Sequence, residues 1–286
     1  MPRAVAHAPE ELTRDRLARL GEGIGKVVYA SEHWVVRRER TAREIVALII
    51  VWKFLRHRAH RLPFGWGRVL LNQPTRIVRF SRVVIETIIA VLPRSLWYTK
   101  HVSQVLTTYR SRDRRGERLA RLHLDDTDLV PETITFPPTL VPVAGKISRL
   151  RVDQATERVE DTLDRRLNDL AEARDFKSVE DWLNRFLETR QTGWQLGLFS
   201  VDAHLKNFGI IGERVVLLDS GGLTDRWIDI SAKLSIDEQA GEPHVQLGLD
   251  QVLASEPELA RRFNNRWRSL VNRDSVIEHW PGDPRP

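Results

Sequence analysis

Asp202-Ala203-His204-Leu205-Lys206-Asn207-Phe208 and, one short strand later, Leu217-Leu218-Asp219-Ser220-Gly221-Gly222 are the most informative stretches of this chain. Asp202 and Asn207 lie five positions apart, soon after a segment with helical periodicity. In that segment, Ser178 to Arg190, the residues Val179, Trp182, Leu183, Phe186 and Leu187 recur at i, i+3, i+4, i+7 and i+8. Asp219 closes the apolar run Val215 to Leu218 and precedes Ser220-Gly221-Gly222. This order of helix, loop, hydrophobic strand and Asp-x-Gly gathers three oxygen-bearing side chains around one cleft. Oxygen-only ligation suits Mg2+, a hard cation that keeps substrate phosphates in its shell. The same residues also suit ordinary turns, an Asx-type turn at 202–207 and a hairpin turn at 219. His204 has no second His or Cys at ligand spacing, which argues against its being a metal ligand.

Toward the N-terminus, Gly21-Glu22-Gly23-Ile24-Gly25-Lys26-Val27 reads as a glycine-rich turn between strands. Lys26 to Tyr29 and Trp34 to Arg37 are β-branched runs around a hairpin turn. Val27 follows Lys26, so this is no Walker A sequence, and no helix pattern follows that would make it a dinucleotide fingerprint. Residues 10–20 and Thr41 to Arg56 have helical patterns, the second with a threonine N-cap. Residues 75–92 form another, with Arg76, Arg79, Arg82 and Glu86 as a polar stripe on an otherwise apolar segment. A further helix is expected over 96–110 and a charged connector over 112–121. Irregular strands are expected at 132–136, 140–143 and 146–152, then helices over 157–173 and 257–271. A β-rich half followed by an α-rich half predicts an α+β protein of two lobes, 1–153 and 154–286, with a helical insertion at about 62–128.

The spacing of Asp202, Asn207 and Asp219 resembles the protein-kinase catalytic loop, Asp-x-x-x-x-Asn, and its metal-binding Asp-x-Gly. The form Asp-x-His-x-x-Asn is similar to the branch that includes aminoglycoside and choline phosphotransferases. In detail the loop resembles that of the serine kinases found as toxins in bacterial persistence modules. Leu217 to Gly222 resembles the bacterial PhoP-regulatory-network, or YrbL, kinase-like proteins. The resemblance covers roughly 20–60 and 130–230 and omits 62–128. It implies a two-lobed protein-kinase-like fold that binds ATP and Mg2+. Asp202 would orient the acceptor or serve as base, His204 would support the loop, and Lys206 would neutralise phosphate charge. Asn207 and Asp219 would hold the metal. Gly21, Gly23, Gly25 and Lys26 would form the phosphate lid, where glycines let backbone N–H groups approach phosphate oxygens. The strand lysine of the family is missing: Trp34-Val35-Val36-Arg37-Arg38 stands there, so Arg37 or Arg38 would take its place, with Glu44 as helix partner. Arginine is not equivalent to lysine, being larger and bidentate. Ser200-Val201 also departs from the family's usual His-Arg or His-Gly before the aspartate.

Composition narrows the classes further. Cysteine is absent, which excludes thiolate catalysis, disulfides and Cys-type zinc sites. The N-terminus lacks a signal-like apolar stretch and the longest apolar run, Ile45 to Trp52, is short of a membrane span, so a cytoplasmic protein is expected. Net charge is +6 and the pI about 9.9. Between Lys53 and Arg121 there are 16 Lys/Arg against Glu86, Asp113 and Glu117. Such a block suits an anionic partner, and a place peripheral to the inner face of a membrane or against a protein partner fits it. No recognition motif supports nucleic acid. Three functions follow: an ATP–Mg2+ phosphotransferase acting on a hydroxyl acceptor, a pseudokinase that binds nucleotide or a partner without turnover, and a basic peripheral membrane or nucleic-acid-binding protein.

Overall fold

Alternating apolar residues build the first half of the chain. In the computed structural model, which describes residues 2–22, 25–48, 100–145 and 147–282 together with Val84 and Ile88, these residues form a six-stranded sheet. Its order is β1 (Arg3–Ala4), β5 (Thr133–Pro142), β6 (Arg149–Glu157), β4 (Trp34–Glu39), β3 (Lys26–Ala30) and β2 (Ala18–Glu22). All neighbours are antiparallel except β1, which runs parallel to β5. Val27, Tyr29, Val36, Ile134, Val141 and Val152 project from one face into a hydrophobic cluster with Leu12 and Leu17. Among the described residues between β4 and β5 are helices α2 (residues 42–48) and α3 (Lys100–His123), and Val84 and Ile88 are also helical.

The second half is helical around small sheets. Its helices are α4 (Leu163–Glu172), α5 (Phe176–Gln195), α6 (Trp227–Gln239), α7 (Pro243–Gln246), α8 (Pro257–Leu270) and α9 (Arg273–His279). Asp175 caps α5 by accepting from Ser178 N at 3.1 Å. Val179, Leu183, Phe186, Leu187 and Trp194 form its buried face. Phe186 stacks on Trp267 of α8, with centroids 6.2 Å apart, and meets Phe208 edge-on at 4.9 Å. Burying each such side chain contributes about 1.5–3 kcal/mol. Beside α5 lies a hairpin of β9 (Phe208–Ile211) and β10 (Arg214–Leu217), joined by Gly212-Glu213 with Gly212 at φ 57°. A two-residue turn needs that left-handed backbone. β7 (Asp161–Thr162) adds to β9, and β8 (Phe199–Ser200) pairs with β11 (Leu223–Thr224). Leu119 of α3 and Leu124, just past its end, join this second hydrophobic cluster.

The α+β class and most elements are as the sequence predicts, with four differences. The helix expected over 10–20 ends at Arg14, in α1 (Glu10–Arg14), because Leu17 bridges Val143 and is buried in the sheet cluster. The expected connector at 112–121 is the interior of α3. The strands expected at 132–136 and 140–143 are one strand, β5, with its register shifted between Thr135 and Thr139. Pro137 and Pro138, which cannot donate to a ladder, sit in that shift. Glu157 ends β6 and helix begins only at Leu163, so a division at 153 falls inside a strand. Most of the helices expected over 75–92 and 41–56 lies outside the described residues.

Candidate functional site

Backbone hydrogen bonds stitch the two informative stretches together. Asn207 N donates to His204 O at 2.8 Å around the 3-10 turn Leu205–Asn207. Leu218 N donates to Asn207 O at 2.8 Å, and Val201 N donates to Gly222 O at 2.9 Å. The loop holding Asp202 and the strand end holding Asp219 therefore lie side by side. Side chains finish the joint. Asn207 Nδ2 donates to Asp202 O at 3.0 Å, and Asp219 Oδ1 accepts from Gly221 N at 3.0 Å. Gly222 makes the approach possible, since a Cβ there would stand 2.8 Å from Asp202 Cβ. His204 Nε2 lies 3.5 Å from Asp202 Oδ1, an electrostatic contact rather than a strong hydrogen bond. Lys206 is exposed.

The sheet closes the site from above. Arg37 and Arg38 are adjacent on a strand, so they face opposite ways. Arg37 Nη2 donates to Leu218 O at 3.1 Å, next to Asp219. Burial among protein atoms lowers its pKa, opposed by the charges of Asp219, Glu117 and Asp113. Solvent still reaches this side chain, as expected of a group on the wall of a cleft. Arg38 instead grips Glu44 through two hydrogen bonds, at 2.6 and 3.0 Å. Glu44 also completes a capping box on α2, accepting from Thr41 N at 2.8 Å while its own N–H donates to Thr41 Oγ1 at 3.3 Å. Burial would raise its pKa, but the bonds from Arg38 and Thr41 prevail and hold it at about 2. Of the paired expectations, Arg37 therefore faces the candidate cleft, and Arg38 and Glu44 are occupied with each other.

The carboxylates facing the cleft come from α3. Lys26 Nζ lies 3.1 Å from Asp113 Oδ2 and also bonds Glu117 Oε1. Burial alone would lower the Lys26 pKa, but the bonds and charges of Glu117 and Asp113 raise it. Burial raises Asp113; Lys26 counters this, while Glu117 and Asp219 push it further up. Gly116, between these two acids, rests against Ser220 O, where a Cβ would overlap the carbonyl. Asp113 Oδ1 would lie 2.8 Å from a Cβ placed on Gly221. Asp113 and Glu117 are hidden in the sequence, where a glycine among arginines reads as a charged connector. Their i, i+4 spacing was the available signal.

The glycine-rich turn is described at Gly21 and Gly25; Gly23 lies outside the described residues. Gly21 sits in β2 beside a register shift, and a Cβ there would meet nothing within 4 Å. Gly25 O accepts from Arg40 N at 2.7 Å, tying the end of the turn to the end of β4.

The second oxygen of Asp219 and the amide oxygen of Asn207, whose nitrogen is committed to Asp202 O, make no hydrogen bond among the described residues. Two protein donors suit Mg2+, which completes its shell with phosphate and water. Behind the loop lies a cavity of about 40 Å³ lined by Ser200, Arg190, Phe208, Leu217 and Leu223 among others. The Ser200 hydroxyl and Arg190 Nε are buried there without a hydrogen-bond partner among the described residues. Comparison of the chain with protein-family models, curated proteins and solved structures finds no match.

Proposed function

We propose that the chain is a two-lobed, protein-kinase-like phosphotransferase that binds ATP with Mg2+ and transfers the γ-phosphoryl group to a hydroxyl. One observation carries this reading: Asp202, Asn207 and Asp219 are stitched into one ridge, and a strand arginine hydrogen-bonds to the residue beside Asp219. Protein kinases use a lysine on the third strand and a glutamate on the helix that follows. Arg37 on the strand, with Glu117 and Asp113 on α3 among its neighbouring charges, offers the same alternation of charge. The partner role that the resemblance gave to Glu44 falls to these α3 carboxylates instead.

In this reading Asp202 orients the acceptor hydroxyl and takes its proton as the hydroxyl oxygen attacks the γ-phosphorus and ADP leaves. Asn207 and Asp219 would hold Mg2+, which would offset charge on the nucleotide phosphates. Arg37 donates to phosphate oxygens, and the N–H groups around Gly21 and Gly25 approach them from above. His204 steadies Asp202 by charge. Lys206, exposed beside the loop, adds positive charge where the acceptor enters.

The test is calorimetric titration with ATP, with and without Mg2+, followed by transfer from γ-labelled ATP to a panel of hydroxyl acceptors that includes the protein itself. Asp219→Asn is expected to abolish Mg2+-dependent binding. Asp202→Asn should keep binding and lower transfer by about 10²–10⁴-fold. Absence of any ATP binding by the native chain would sink the proposal. A second reading, a pseudokinase, is favoured by one feature, the arginine at the lysine position. ATP binding with no turnover on any acceptor would select it.

A further inference from the structure

Arg190, on α5, is a buried cation without a matching anion. It is 6% exposed, and its side chain makes no hydrogen bond or ion pair among the described residues. The rings of Trp267, Phe199 and Trp194 surround the guanidinium, with Cζ 4.8, 5.5 and 5.9 Å from their centroids. Rings attract the charge, but they give its N–H donors no oxygen to bond. Asp237, whose charge Arg190 feels, bonds Lys233 instead. Buried charges are ordinarily paired and buried polar groups hydrogen-bonded, so an exception calls for a cause. Ser200, on β8, is a second exception, for its hydroxyl is buried without a partner among the described residues. Arg190 and Ser200 line the same cavity, of about 40 Å³. No acidic side chain lines it. Its other walls are mainly leucine and aromatic side chains, and Thr189 there already donates to Arg185 O at 2.9 Å.

We propose that this cavity binds one small inorganic anion of the size of chloride, held between the Arg190 guanidinium and the Ser200 hydroxyl. Volume sets the size of the ligand. One water needs about 10–15 Å³, so the cavity admits about three waters or one such anion, and no nucleotide or sugar phosphate. Charge sets its sign. Water could accept from the orphaned donors but would leave the buried arginine uncompensated, whereas an anion accepts and compensates together. The position gives the anion a consequence. Ser200 pairs with Leu223 of β11, and Val201 N donates to Gly222 O at 2.9 Å. An anion shared by Arg190 and Ser200 therefore ties α5 to the strand pair that adjoins both Asp202 and the Asp219 turn. This inference concerns the cavity and does not need the phosphotransferase reading.

The experiment is thermal unfolding of the full chain as chloride replaces gluconate at constant ionic strength, with chloride NMR line width as a direct measure of binding. The native chain should melt about 2–4 °C higher for each tenfold rise in chloride above half-saturation. It should also broaden the chloride line in a saturable way. Arg190→Met, melting at or above the native temperature in gluconate, should lose both responses. Ser200→Ala should keep them and need about tenfold more chloride, as expected for one lost hydrogen bond to a charged group. A native chain indifferent to chloride, which is the result for a cavity holding water alone, overturns the proposal. So does a chloride response that survives in Arg190→Met or an undiminished affinity in Ser200→Ala.

Discussion

At the scale of single residues, side chains that look alike in sequence have been given opposite duties. Strand alternation turned Arg37 toward Asp219 and Arg38 toward Glu44. Glu44→Gln weakens both the pair and the capping box, and should cost about 1 kcal/mol at neutral pH. Because the folded-state pKa of Glu44 is depressed from 4.5 to about 2, its stabilisation is complete above pH 4.5 and is lost as pH falls toward 2. Acid titration of urea stability should therefore be steeper for the native chain than for Glu44→Gln in that window. Gly21 offers a different test. Nothing in the protein crowds its missing Cβ, so Gly21→Val should leave stability unchanged or raise it by up to about 1 kcal/mol. If the bare backbone exists for phosphate, the same variant should bind Mg2+-ATP at least tenfold more weakly. Arg190 is 6% exposed and packs over Trp194, Phe199 and Trp267, the last with its Cζ 4.8 Å from the ring centroid. Burial lowers its pKa to about 10. Arg190→Met fills the same space without a buried charge and should be neutral or stabilising by about 1 kcal/mol in thermal unfolding. Arg190→Ala, which leaves a cavity, should cost about 2–4 kcal/mol.

At the scale of elements, α3 matters most. Its sequence, with Gly116 among Arg112, Arg114, Arg115 and Arg118, predicts a solvated connector. The glycine costs a helix about 1 kcal/mol relative to alanine. What recovers that cost is contact: Gly116 lies on Ser220, Asp113 and Glu117 reach Lys26, and Leu119 enters the helical core. Gly116→Ala sets two effects against each other. Better helix propensity gains about 1 kcal/mol, while overlap with a backbone carbonyl costs about 3 kcal/mol or more. The clash should win, and urea denaturation should report a net loss of about 2 kcal/mol. By contrast the middle of α5, Ser178 to Arg190, was legible from its apolar stripe, a local signal, while the helix itself runs from Phe176 to Gln195.

At the scale of the whole molecule, two hydrophobic clusters are joined by few described polar links between the sheet and the site. Lys26 bonds Asp113 and Glu117, and Arg37 bonds Leu218 O. α3 binds the helical cluster through Leu119, and the turn after it through Leu124, so the Lys26 clamp ties the sheet to that cluster. Differential scanning calorimetry of Lys26→Gln/Arg37→Gln should split one unfolding transition into two, with the sheet transition at the lower temperature. A single transition at the native temperature would show that apolar contacts alone unite the clusters. Lys26 adds a pH dependence. Its raised pKa contributes stability that is present below its unfolded value and lost as pH rises through the folded one. Alkaline destabilisation should be weaker in Lys26→Gln.

The sequence by itself determined the local structure: the strands around the glycine-rich turn, the α5 periodicity, and the Asp202, Asn207 and Asp219 spacing that a loop and a short hairpin could bring together. Those features rest on interactions within a few residues, so their pattern is written along the chain. Tertiary structure alone decided which strand arginine faces the cleft, and that α3 supplies the facing carboxylates. It also decided that Glu44 spends its charge on Arg38 and a helix cap. Each of these depends on groups far apart in sequence meeting at a few ångströms, where charge and burial are balanced by partners that periodicity does not encode.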